Sequence, residues 1–155
     1  MSQPSEQTNT AMRELVAFRA AGQDFCIDIM SVREIRGWSQ ATKLPHAPEY
    51  VCGVINLRGA VVPILDLSAR LDLGTLTPSE RNVIIISVID QQMVGVLVEA
   101  VFDILSVPAA DIQPTPEIAS DRARAVIEGI FSDSDRTLRL IQLDRLMPKS
   151  ESAVA

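Results

Sequence analysis

The chain has 155 residues, 14 Lys and Arg against 20 Asp and Glu, and a formal charge of −6. A chain of this length buries about 68–70% of its unfolded surface, enough to fold without disulfides or a structural metal. With a pI near 4.7 and only 4% aromatic residues, it lacks the clustered cations and stacking rings that nucleic acid requires, and its charge disfavours an anionic membrane surface.

Residues 1–11 are polar and aperiodic and read as a flexible tail, as do residues 149–155. The N-terminal stretch has neither a basic segment nor an apolar core, so it is not a signal peptide. The longest apolar runs, Val83 to Ile89 and Ala60 to Leu65, fall far short of the roughly 18 residues a transmembrane helix needs. A cytoplasmic protein without direct membrane insertion is expected, with Cys26 and Cys52 as reduced thiols.

Val and Ile number 15 each against 14 Leu, a weighting that favours strands. Arg13 to Ala20 and Asp24 to Ile29 flank Ala21-Gly22 as a hairpin, with Phe25, Ile27 and Ile29 on one face and Asp24, Cys26 and Asp28 on the other. Val32 to Arg36 is a short extended run ending at Gly37. Pro48 suits the first position of a short helical turn through Glu49, Tyr50 and Val51. Gly53 to Leu57 and Val61 to Asp66 are strands joined by Arg58-Gly59-Ala60, and Leu67 to Leu73 is a short helix stopped by Gly74.

Asn82 to Ile89 and Met93 to Val98 form a second hairpin, apolar enough to be buried on both faces. Further strands are expected at Val101 to Val107, Ile112 to Pro114, Ile127 to Phe131 and Leu138 to Leu143, with Ser132 to Arg136 as a turn. Short helices are expected at Ser120 to Val126 and Asp144 to Met147. Turn signals about every 8–12 residues suggest closed barrels, and no amphipathic segment is long enough for a helical bundle.

The chemical inventory is poor. His46, the single histidine, lies in a proline-bracketed loop, and neither Cys has a nucleophile context. Cys26, Cys52 and His46 supply at most three zinc ligands at the wrong spacing, and no phosphate-binding glycine motif exists. Glu99 and Asp103 read as solvated strand-end charges. No cofactor or metal is expected. Trp38 is equally an interface anchor or a core cap. Arg58 is presented in a tight turn where Gly59 permits a positive φ, although an ordinary exposed turn residue would look the same. Val32 and Glu34 share one face of their strand. With Ile35 turned to the core, Val32 stands exposed beside an acid, as a partner surface or as a plain edge.

The stretch Gly53 to Leu67, GVINLRGAVVPILDL, resembles the signature region of the CheW family of bacterial chemotaxis coupling proteins. The pieces that carry the resemblance are Asn56-Leu57-Arg58-Gly59, Pro63 and Asp66-Leu67. Cys26 to Gly37, Val94 to Asp103 and Ile112 to Pro116 are similar to family segments as well, so the likeness runs from about Leu15 to Met147. Before the last hairpin, where the family often has a glycine-rich stretch, only Gly129 fits.

The resemblance implies a mainly β fold: two small five-stranded SH3-like β-barrels packed together, with few short helices. They would form one domain over residues 12–148, made of two intertwined barrel subdomains, roughly 12–80 and 81–148. It also implies no catalysis. The implied function is an adaptor that couples the signalling tips of methyl-accepting chemoreceptors to a histidine autokinase. One surface would bind the kinase's regulatory domain and another the receptor's helical hairpin. Glu34 and Arg58 match functional positions of the family, and Val32, Glu34, Gly53, Asn56, Arg58 and Gly59 are the expected partner-binding residues. A salt bridge between Glu34 and Arg58 is expected at that surface. Other readings are a coupling module of a related chemosensory pathway, such as pilus control, a regulatory domain of the kinase itself, or a small hydrolase.

Overall fold

The computed structural model describes residues 11–114 and 121–147. The expected tails apart from Ala11, the end of the Ile112 to Pro116 motif and Ser120 lie outside the described residues. Ten strands follow in chain order: β1 (Met12–Ala20), β2 (Gln23–Asp28), β3 (Val32–Gly37), β4 (Val51–Leu57), β5 (Ala60–Asp66), β6 (Val83–Ile89), β7 (Gln92–Val98), β8 (Ala100–Pro108), β9 (Ile127–Asp133) and β10 (Arg136–Ile141). The helices α1 (Leu67–Arg70) and α2 (Asp121–Val126) are short.

The strands build two five-stranded sheets, ordered β8-β1-β2-β10-β9 and β3-β6-β7-β5-β4. Each sheet closes by one device: the segment leaving its first edge strand bridges its last. Thr42, beyond β3, exchanges two 2.8 Å backbone hydrogen bonds with Val54 of β4. Gln113, beyond β8, does the same with Ile130 of β9 at 2.8 and 2.9 Å. Closure leaves few unpaired backbone groups at the sheet edges.

The two orders are one order. Adding five to each strand of the first repeat, β1–β5, gives its counterpart in the second, β6–β10. Each repeat gives its first two strands to one barrel and its last three to the other. A boundary near residues 80 and 81 therefore falls between the repeats but does not divide the barrels, which both mix strands from the two sides. Backbone pairing within each barrel thus joins the two repeats.

Burial follows from this weave. Leu15, Ala17, Cys26, Leu138 and Leu140 fill the first barrel, while Ile55, Val62, Ile64, Ile84, Ile86 and Leu97 fill the second. The largest cluster lies between the barrels and takes Val16, Phe18, Phe25, Ile27, Ile85, Val94, Val96 and Val98. Strands β1, β2, β6 and β7 thus feed a barrel interior with one face and the inter-barrel core with the other. That accounts for the continuous apolar runs of β6 and β7. Cys26, on the β2 face that also carries Asp24 and Asp28, is fully buried as a small apolar side chain.

Local chemistry explains most element ends. Asp66 caps α1 by accepting from Ser68 N (3.0 Å) and Ala69 N (3.4 Å), and its other oxygen takes Leu76 N at 2.8 Å. Pro63 sits one residue before the parallel β5–β7 ladder begins at Ile64, where its missing N–H costs no bond. Pro48 to Val51 is a single short turn, as expected, closed by the Val51 N–H donating to the Pro48 carbonyl at 2.9 Å and running into β4. Two expectations change. Ile112 to Pro114 contributes only the closing bridge at Gln113, and Asp144 to Met147 only the end of a 3-10 turn, Leu143–Arg145.

Candidate functional site

The expected site residues fall on two elements of the second barrel that meet at one corner. The first is β3, antiparallel to β6, with a register shift between Val32 and Glu34. Along it Val32, Glu34 and Arg36 are half-buried, while Arg33, Ile35 and Gly37 are exposed. The second is the β4–β5 hairpin, where Leu57 pairs with Ala60 around a two-residue turn of Arg58 (φ 51°) and Gly59 (φ 90°). Two positive φ angles make this a mirror-image turn, whose twist matches that of the strands it joins. Glycine adopts that conformation freely at the second position; Arg58 must be held in it at the first. A side-chain bond on the neighbouring residue does part of this: Asn56 Oδ1 accepts the Gly59 N–H at 3.0 Å.

The turn directs Arg58 back over β3, and its Nη2 donates to Glu34 Oε1 at 2.7 Å. The other Glu34 oxygen lies 3.6 Å from Arg36 Nη1. The Glu34 carboxyl is held below its ordinary range, first by the Arg58 hydrogen bond, which outweighs an opposing desolvation, and then by the charges of Arg58 and Arg36. The Arg58 side chain remains 69% exposed, so a guanidinium fixed on one edge offers its other donors outward. The expected Glu34–Arg58 salt bridge is present.

Two site residues differ from expectation. Val32 packs against the inter-barrel core, and the exposed apolar residue of β3 is Ile35, at 46%. The N-terminal end of β3 crosses the seam between the barrels, so Val32 finds neighbours there and Ile35 does not. Gly53 is buried beneath Thr42 and presents no surface; it belongs to barrel closure. Sequence reasoning missed Val61, which is 66% exposed and directly opposite Asn56 in the hairpin. Alternation against its buried neighbour Val62 was the available signal.

A second feature is a cleft of about 420 Å³ where the barrels meet, lined by Arg13, Asp28, Met30, Val88, Glu128 and Asp144 among others. Met30 is 87% exposed there, and Arg13 is held by both Asp28 (3.1 Å) and Glu128 (3.0 Å).

The residues with catalytic side chains do not converge. His46 is exposed in its loop. Burial pushes the thiols up, to about 12 for Cys26 and about 11 for Cys52, so both stay protonated near neutral pH. Glu99 accepts from Gly22 N at 3.4 Å in the β1–β2 turn. Trp38 packs on the core of the second barrel. No group of three His, Cys, Asp or Glu able to hold a metal exists among the described residues.

Two interleaved five-stranded barrels with an exposed, ion-paired corner have counterparts among known proteins. The profile of the CheW-like domain matches residues 14–151. The chain is 50% identical to the chemotaxis protein CheW of Rhizobium meliloti over the full length of both. It is 34% identical to CheW of Klebsiella aerogenes, covering 94% of this chain and 87% of that one. The crystal structure of the scaffolding protein TtCheW from Thermoanaerobacter tengcongensis superposes with a TM-score of 0.81 at 32% identity, over 89% of each chain. The chain belongs to the CheW-like family of chemotaxis scaffold and adaptor proteins.

Proposed function

We propose that this protein is a non-enzymatic adaptor. It couples the cytoplasmic tips of chemoreceptors to a histidine autokinase by binding the kinase's regulatory domain and the receptor's helical hairpin. Family membership supports the pathway, and the Glu34–Arg58 corner is the observation that carries the surface. An exposed ion pair contributes little to folding, so stability alone is a weak reason for building one on a strained turn. Its use is to hold a guanidinium in one orientation for a partner carboxylate or carbonyl.

In this reading Glu34 and Arg58 make the polar contact, and Ile35 and Val61 supply apolar area beside it. Asn56 and Gly59 shape the turn, Val32 backs the strand from the inter-barrel core, and Gly53 keeps the barrel shut. The protein works in the cytoplasm and reaches the membrane-associated receptor array through its partners. Among the described residues no helix is long and apolar enough to cross a membrane.

Affinity capture from the native cytoplasm tests the proposal. Co-recovery of a large histidine kinase and of chemoreceptors is expected. Recovery of neither, with the bait folded, would overturn it.

A further inference from the structure

We infer that Asn56 is a positioning residue: it does not contact the partner itself but locks the Arg58–Gly59 turn in the one geometry that delivers the Arg58 guanidinium to Glu34. The inference deepens the proposed role of this corner and rests on it for its functional meaning.

Four observations carry it. Asn56 ends the outward-facing positions of β4, and its exposed side chain would serve as well as any polar group if solubility were its task. Instead its Oδ1 is committed to the Gly59 N–H at 3.0 Å. In a two-residue hairpin turn the ladder closes through the flanking pair, here Leu57 and Ala60, which leaves the second turn residue's N–H without a ladder partner. Asn56 is the partner it finds.

The turn needs that help. Arg58 has no glycine's freedom yet sits at φ 51°. Relaxing Arg58 to negative φ would change the turn type, swing its Cα–Cβ bond and carry the guanidinium away from Glu34. The 2.7 Å contact therefore depends on a backbone conformation that Arg58 disfavours and Asn56 stabilises from two residues away. Asn is suited to this, since its short side chain accepts local backbone N–H groups in turns.

The test is carried out on the full chain with no partner present. Carboxyl NMR follows the titration of Glu34 in the wild type, Asn56→Ala and Arg58→Ala. The Glu34 midpoint is expected to rise in Arg58→Ala, and Asn56→Ala should move it a substantial part of the same way while the thermal unfolding midpoint stays close to wild type. Hydrogen exchange supplies an independent reading. The Gly59 amide should be protected in the wild type, lose protection in Asn56→Ala and regain it in Asn56→Asp, which keeps the acceptor oxygen.

An unprotected Gly59 amide in the wild type overturns the inference without any substitution. So does a wild-type Glu34 midpoint in folded Asn56→Ala, whatever happens to binding. A raised midpoint with undiminished partner binding upholds the positioning role and removes the corner from the partner surface, so the two ideas fail separately.

Discussion

Gly53 and Gly129 meet the same obstacle in different barrels. A Cβ on Gly53 would stand 2.5 Å from the Thr42 carbonyl oxygen, and one on Gly129 would stand 2.6 Å from that of Gln113. Thr42 and Gln113 are the residues that close the two barrels, so the glycines mark the same point in the two five-strand repeats. Each lets the closing strand approach where any side chain would hold it off. Gly53→Ala and Gly129→Ala should each lose about 1–3 kcal/mol of stability. Gly53→Ala should be the worse, because Gly53 also has φ 152°. Gly37→Ala, with nothing within 4 Å of the added Cβ, is the control. Urea unfolding checks the series, and a wild-type midpoint for Gly129→Ala would refute the shared role.

Val32 and Ile35 should separate stability from binding. Val32→Ala removes methyls that pack on the inter-barrel core and should cost about 1 kcal/mol. Ile35→Asp alters an exposed side chain and should change stability by less than about 0.5 kcal/mol while weakening partner recruitment. Thermal melts paired with binding assays distinguish the two. A destabilised Ile35→Asp would mean that Ile35 has packing partners.

Both thiols should be sluggish toward alkylation. At pH 7.5 a thiol held near 11 or 12 has almost no thiolate, and Cys26 is also fully buried. Iodoacetamide followed by mass spectrometry should leave both unmodified over times that label a free thiol completely. Cys52 should react first as pH rises. Rapid labelling of Cys26 in native protein would contradict its burial.

The Glu34–Arg58 pair sets a pH dependence of known sign. The folded-state carboxyl lies below its unfolded value, so what the pair contributes is complete above the ordinary glutamate range, about 4.3. It is lost as pH falls through the lowered folded value. Binding that uses this corner should therefore be flat from neutral pH down to about pH 5. A loss centred between pH 6 and 7 would show that another group controls binding.

Much of this was legible in the chain, for identifiable reasons. The apolar runs of β6 and β7 announced strands between two cores, and Arg58-Gly59 announced a tight turn, because burial and turn chemistry are local properties. The intertwining of the barrels came with the family resemblance and not from the pattern of residues, since periodicity reports how deeply a residue is buried and not which strand lies beside it. Val32 and Ile35 were exchanged for that reason. Both are apolar and only their environment differs, and the seam that buries Val32 is made by residues distant in sequence. The closing role of Gly53 was hidden because the segment it admits, through Thr42, belongs to no regular strand.

The most direct test of the adaptor role is recruitment in a defined mixture. Receptor cytoplasmic fragments are assembled on vesicles with the histidine kinase, and kinase co-sedimentation is measured with wild-type protein and with the charge reversals at residues 34 and 58. Wild type should bring the kinase down with the receptors. Glu34→Arg and Arg58→Glu should each fail to do so while melting like wild type. The double reversal restores the internal pair but still meets the partner with the wrong sign, so it should recover recruitment only in part. Kinase recruitment by Arg58→Glu at the wild-type level would contradict the assignment of this corner to the partner.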